Sequence, residues 1–218
     1  MSFRSISYLS ILTIVAILSV LHFKKLSTPY RLLTGLIVFN WALEITSKIL
    51  AQKFGNSIPI YHFVILGGLT FNLFIYLKIH VIKKASFIII VGMTILFIIL
   101  SVLNSLTNQT INVFPTNGIM LHGLQSITFS LIVYLNMLQY PIQASIFKQP
   151  VFWLNTGNFV FYGITFTIFA LYNFFYKSSY ITSYAHWFIY GANLFLYCSY
   201  LYAIILDSKT YHTRNGFR

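Results

Sequence analysis

Seven apolar stretches, separated by short polar breaks, occupy nearly all of the 218 residues. Each is close to the ~20 residues that a hydrocarbon core about 30 Å thick demands of an α-helix. The pattern predicts helices over 5–23, 32–52, 59–78, 85–104, 118–139, 151–176 and 182–206. A transmembrane barrel would instead alternate apolar and polar residues along strands of about ten positions, whereas these runs are continuous. All five prolines (Pro29, Pro59, Pro115, Pro141 and Pro150) fall in the breaks or in the first turn of a following helix, where a missing N–H costs little. The expected fold is all-α, a polytopic membrane protein with seven transmembrane helices.

Composition agrees with this pattern. With 58% hydrophobic residues, 7% charged residues and a mean hydropathy of +0.79, no fold could hide the apolar surface from water. Charge then sets orientation, because Lys and Arg are retained on the cytoplasmic side. The breaks after the first, third and fifth spans and the C-terminal tail hold Lys24, Lys25, Arg31, Lys78, Lys83, Lys84, Lys148, Lys209, Arg214 and Arg218. The opposite side holds only Arg4, Lys48, Lys53 and Lys177. The N-terminus is therefore expected outside and the C-terminus in the cytoplasm. A formal charge of +12 spread over the rims points to anionic lipid headgroups and argues against nucleic acid. A secretory signal peptide is the competing reading of residues 1–23; it is disfavoured because no small-x-small cleavage site follows and Lys24-Lys25 resembles a stop-transfer flank.

No linker, acidic block or low-complexity tract divides the chain, so residues 1–218 are read as one domain. Sugar facilitators with a proline-glutamine loop share the helix count, but the first span here has no proline, and Gln149-Pro150 reverses the dipeptide between spans. Asn108-Gln109-Thr110 matches a glycosylation sequon that a bacterial chain would rarely use. Cys198, the one cysteine, offers neither a disulfide nor a thiolate metal cluster and reads as a small packing residue.

The informative residues are the polar ones at membrane depth. Glu44 and Asp207 are the only carboxylates; Glu44 lies inside the second span and Asp207 at the inner exit of the seventh. A buried acid is costly and should face the bundle interior with a partner. Lys48, four residues on, supplies a simple ion pair. A more specific alternative joins Glu44 to His62, His122 and His186, which all fall towards the outer side. Such a set would line a ligand cup, relay protons, or bind a divalent metal, although no His-x-x-x-His or Glu-x-x-His spacing sharpens the metal alternative. No metal is assigned, and cofactors remain unspecified.

Helical spacing extends the cup. His186, Tyr190, Asn193 and Tyr197 form one stripe, and Asn155, Asn158, Tyr162 and Thr165 another. His122, Gln125 and Asn136 lie close to one face of the fifth span, Asn72 and Tyr76 lie below His62, and Asn40 is one turn inside Glu44. The competing explanation is structural, since Asn, Gln and Tyr also bridge helices. The first and fourth spans carry mainly Ser, Thr and Gly among aliphatics and are expected at the periphery. Gly67-Gly68, Gly118 with Gly123, and Gly157 with Gly163 read as close helix contacts.

Several functions are disfavoured. No lysine lies between Lys177 and Lys209, so the seventh span has no attachment point for retinal. The Asp and paired His of intramembrane ceramidases, the Gly-x-Ser context of rhomboid proteases and the many histidines of desaturases are all missing, so an enzyme is not the expected reading. Trp41 with Glu44, Ile60-Tyr61-His62, Phe152-Trp153 followed by Gly157, Tyr162 and Gly163, and His186-Trp187 before Asn193 together resemble small seven-helix membrane proteins of bacteria. That resemblance implies a helix count and the importance of Glu44 and His62, not an activity. The expectation is a bacterial inner-membrane protein whose outer half binds a small molecule as a sensor or receptor, acting through a separate protein partner. A proton-coupled permease and a membrane scaffold are the alternatives.

Overall fold

The computed structural model describes residues 3–79, 84–139, 145–175 and 179–215. Lys83, Pro141, Lys177 and Arg218 lie outside the described residues. The helices are α1 (Phe3–His22), α2 (Thr28–Phe54), α3 (Ile58–Leu77), α4 (Lys84–Thr107), α5 (Thr116–Gln139), α6 (Pro150–Phe175) and α7 (Ser179–Asn215), with no strand among the described residues. All seven are long and apolar enough to cross a membrane.

The two largest departures from the expected boundaries, at the start of α2 and the end of α7, have physical reasons. Helix α2 starts four residues early, because Ser27 takes an extended N-cap conformation and Pro29 fits the first turn. The Ser27 backbone N–H donates to Asp207 Oδ2 at 2.7 Å and its hydroxyl donates to Oδ1 at 3.0 Å, so a carboxylate from α7 neutralises the positive end of α2. At its other end α2 stops at Gly55, where φ of +69° suits a residue without Cβ and the N–H returns to Ala51 O. Helix α7 runs to Asn215, so the segment expected as a short tail continues the last helix. Nothing in the intervening sequence breaks it, and Asp207 and Ser208 are buried.

Each helix packs on its neighbour in sequence, and α7 closes on α1. Contact between α3 and α5 makes a six-helix ring with α4 appended outside it. Helix α4 turns Ile88, Ile89, Ile95, Leu96 and Ile99 outward, as expected for a peripheral span. Helix α1, also expected at the periphery, packs on both α2 and α7 and sends Tyr8 and Thr13 inward; Trp41 Nε1 donates to Thr13 Oγ1 at 3.0 Å.

The interior mixes an apolar cluster with buried Ser, Thr, Asn and Gln side chains, while large aliphatic residues cover the outside. That inversion suits lipid, where apolar burial drives little association and small or hydrogen-bonding residues hold helices together. Most of the paired glycines do mark close approaches: Gly67 lies against Phe39, Gly118 against Ile65 and Gly157 against Ser199. Gly163 has open space around it.

Candidate functional site: a cavity at the N-terminal end of the bundle

A cavity of about 370 Å³ lies at the end of the bundle that carries the N-terminus. It is lined by all six ring helices and by the α4–α5 loop. Helical spacing explains how. On α2, Leu36, Asn40, Leu43, Glu44 and Ser47 fall at i, i+4, i+7, i+8 and i+11 and share one face. On α7, Ile189, Asn193, Leu196 and Tyr197 repeat that pattern, and on α6 Phe161, Tyr162, Thr165 and Phe169 fall at i, i+1, i+4 and i+8 on one broad face. Tyr8 enters from α1, Tyr61 and Gly68 from α3, and His122 from α5.

Glu44 is the one charged residue in the lining. Its side chain is 25% exposed, and Lys48 Nζ stands 4.0 Å from Oε1, beyond hydrogen-bonding distance. Lys48 itself leans towards the Ser5 carbonyl at 3.5 Å. Among the described residues no donor hydrogen-bonds to this carboxylate, so its acceptor capacity is largely unspent. Tyr8, Tyr61 and Tyr197 lie within electrostatic reach of it. The Tyr8 and Tyr197 rings meet at 6.0 Å, and Tyr61 packs against Phe114 at 5.1 Å.

His122 is held from three sides. Asn72 Nδ2 donates to His122 Nε2 at 3.2 Å and to Ser126 Oγ at 2.8 Å, while the Tyr162 hydroxyl meets the same Nε2 at 3.3 Å. An accepting Nε2 leaves the proton on Nδ1. The imidazole fits only because residue 68 is glycine, since a Cβ there would overlap the ring. The Ser126 hydroxyl donates to the His122 backbone carbonyl at 2.9 Å and not to the ring, so the two do not form a nucleophile–base pair.

About two turns deeper, eight residues or about 12 Å further along α3 and α5, a second polar group lies beyond the lining, on the floor side of the cavity. Tyr76 donates to Asn155 Oδ1 at 2.8 Å and meets Ser130 Oγ at 3.1 Å, and Asn158 Nδ2 donates back to the Tyr76 hydroxyl at 3.1 Å. Tyr200 donates to Asn158 Oδ1. These side chains are buried and their polar atoms satisfy one another. Ile37, Phe129, Val133, Leu154 and Ile204 are fully buried in one apolar cluster with Tyr76 and Tyr200.

Of the residues expected in the cup, the structure brings Asn40, Glu44, His122, Tyr162, Thr165, Asn193 and Tyr197 to the cavity. His186 and Tyr190 line a shallower groove between α1 and α7 that also contains Arg4, and that groove shares Tyr8, Ile189 and Asn193 with the cavity. Tyr190 is fixed there by Ser7 Oγ at 2.8 Å, whereas His186 is exposed. Three residues point elsewhere. His62 Nδ1 meets Ser105 Oγ at 2.8 Å and its Nε2 meets the Val113 carbonyl at 3.1 Å. Gln125 donates to Thr94 Oγ1 at 2.7 Å and to the Leu69 carbonyl at 3.3 Å, and Asn158 belongs to the floor. Glu44, His62, His122 and His186, the alternative metal ligands, do not gather, and no group of three such side chains forms among the described residues.

The sequence reading missed Tyr8, Ser47 and Phe114. Phe114 comes from the α4–α5 loop, which His62 pins at Val113 and Gln109 ties to Thr116 at 2.6 Å and to the Asn117 N–H at 3.0 Å. His62 thus positions a wall of the cavity without lining it. No family model, curated protein sequence or solved structure matches the chain.

Proposed function

We propose that this chain is a multi-pass protein of a bacterial cell membrane whose cavity opens on the external face and binds a small molecule, as a receptor or sensor acting through a separate protein partner. The observation that supports this reading most is the pairing of an aromatic and polar cavity with a sealed floor. A volume of about 370 Å³ falls within the ~300–1,000 Å³ range of small-molecule sites. The self-satisfied Tyr76–Asn155–Asn158–Tyr200 group, buried with an apolar cluster, supports a receptor over a permease because it offers a bound molecule no free polar partner further inward. The uneven distribution of Lys and Arg supports the orientation, and the basic inner rim suits a docking partner or anionic lipid.

Thermal unfolding of the protein in lipid nanodiscs, screened against a library of small polar organic molecules, tests the reading. A ligand at one hundred times its dissociation constant stabilises by about 2.7 kcal/mol. That gain should vanish in Thr165→Trp, which fills the cavity, and survive in Leu131→Trp on the exposed side of α5. A library that stabilises both variants equally, or neither the variants nor the unmodified protein, contradicts the proposal. One observation favours the permease alternative: the buried Asn136 Nδ2, further inward on α5, has no hydrogen-bond partner among the described residues. Flux of a stabilising compound into proteoliposomes would support that alternative over the receptor.

A further inference from the structure

The lining of the cavity has one negative charge and no positive one. Glu44 sits at its side, and neither Lys nor Arg shares the lining; Lys48 stops 4.0 Å away with its ammonium turned towards the Ser5 carbonyl. A carboxylate largely withdrawn from water and accepting no hydrogen bond has free capacity for N–H donors. The surrounding groups are aromatic: Tyr8, Tyr61 and Tyr197 within electrostatic reach of the carboxylate, then Tyr162, Phe114 and Phe161 elsewhere in the lining. Aromatic faces attract cations and also bury apolar bodies. An anion here would meet Glu44 inside the lining, with the nearest positive charge, Lys48, outside it. A neutral ligand could donate a hydrogen bond to the carboxylate but would leave its charge unmatched.

We infer that the cavity takes an organic cation, a protonated primary or secondary amine on a compact apolar or aromatic body, with the ammonium on Glu44 and the body among the Tyr and Phe rings. The inference rests on the cavity being a ligand site and adds the charge and class of the ligand. The amine's N–H groups would occupy the Glu44 oxygens that Lys48 leaves unfilled, and the Asn40 and Asn193 side chains on the same wall offer further polar partners. The groove between α1 and α7, which shares Tyr8 and Asn193 with the cavity, offers a way in beside Arg4.

The test uses the whole protein in nanodiscs with 2-phenylethylamine, 2-phenylethanol and 3-phenylpropanoate, which share a body and differ in charge. Titration calorimetry should show the amine binding roughly thirtyfold or more tightly than the alcohol, as expected for a paired, desolvated charge, with no binding of the acid. In Glu44→Gln the amine should fall to the level of the alcohol. The comparison within the unmodified protein keeps the test valid even where that variant folds poorly. If the alcohol or the acid binds as tightly as the amine and Thr165→Trp abolishes that binding, the cation inference fails while the ligand site stands. If all three bind Thr165→Trp as they bind the unmodified protein, or none binds at all, both fail.

Discussion

The close approach of α3 to His122 makes Gly68→Ala the sharpest test of the packing around the cavity. An added Cβ would overlap the imidazole Cε1 and come within 2.8 Å of Nε2 and 3.0 Å of Nδ1. The ring cannot swing away freely, because Nε2 is engaged by Asn72 at 3.2 Å and by Tyr162 at 3.3 Å. Overpacking of this kind costs about 1–3 kcal/mol, and losing the two hydrogen bonds adds about 0.6 kcal/mol each inside a membrane. Replacing a helical Gly by Ala returns up to about 1 kcal/mol. The net expectation is a destabilisation of about 1–3 kcal/mol, or about 2–4 °C in Tm for each kcal/mol in a chain of this size. Gly163→Ala is the matched control, since nothing lies within 4 Å of a Cβ there, and it should leave Tm unchanged or slightly raised. Thermal unfolding in nanodiscs, followed by tryptophan fluorescence, reads both. Equal Tm shifts in the two variants, or a more stable Gly68→Ala protein, would refute the packing described here.

Other substitutions probe separate parts of the structure. Asp207→Ala removes the acceptor that caps α2 through Ser27 and should cost about 1–2 kcal/mol in the same unfolding assay. Tyr200→Phe deprives Asn158 Oδ1 of its donor in a dry interior, and a loss of about 1 kcal/mol is expected. Because both side chains act in one network, the double variant with Asn158→Leu should lose less than the sum of the single losses. His62→Phe should speed amide hydrogen exchange across the loop that carries Val113 and Phe114 while leaving the α6 core protected, as mass spectrometry can resolve.

The helices were legible in the sequence because a bilayer imposes one length and one polarity on every span. Their ends were less so. The early start of α2 depends on Asp207, 180 residues away, and no local pattern announces that partner. Within the site, spacing along a single helix was informative: Asn40 with Glu44, and Asn193 with Tyr197, do share faces on the cavity. Rotation of one helix against its neighbours was not. Tyr61 and His62 are adjacent, yet consecutive residues point about 100° apart, so Tyr61 lines the cavity while His62 reaches Ser105 on α4. Gln125 follows His122 by three positions and still faces Thr94, because α5 is wedged between α3, α4 and α6 and each face meets a different neighbour. Tyr8 has Arg4 and Ser5 at helical spacing, but nothing near it in sequence points to the cavity, and only the closure of α7 on α1 brings it to Tyr197.

Thiol accessibility addresses the central claim, a cavity open to the outside and sealed within. Cys198 is the one cysteine and is exposed, so Cys198→Ser gives a background without thiols. In that background, Ser47→Cys reports on the cavity wall and Ser130→Cys on the floor. A membrane-impermeant methanethiosulfonate reagent applied to intact cells should label residue 47 and leave residue 130 unmodified, and residue 130 should stay unmodified in inside-out vesicles. Labelling of residue 130 from either side, or of residue 47 from the cytoplasmic side alone, would contradict the account.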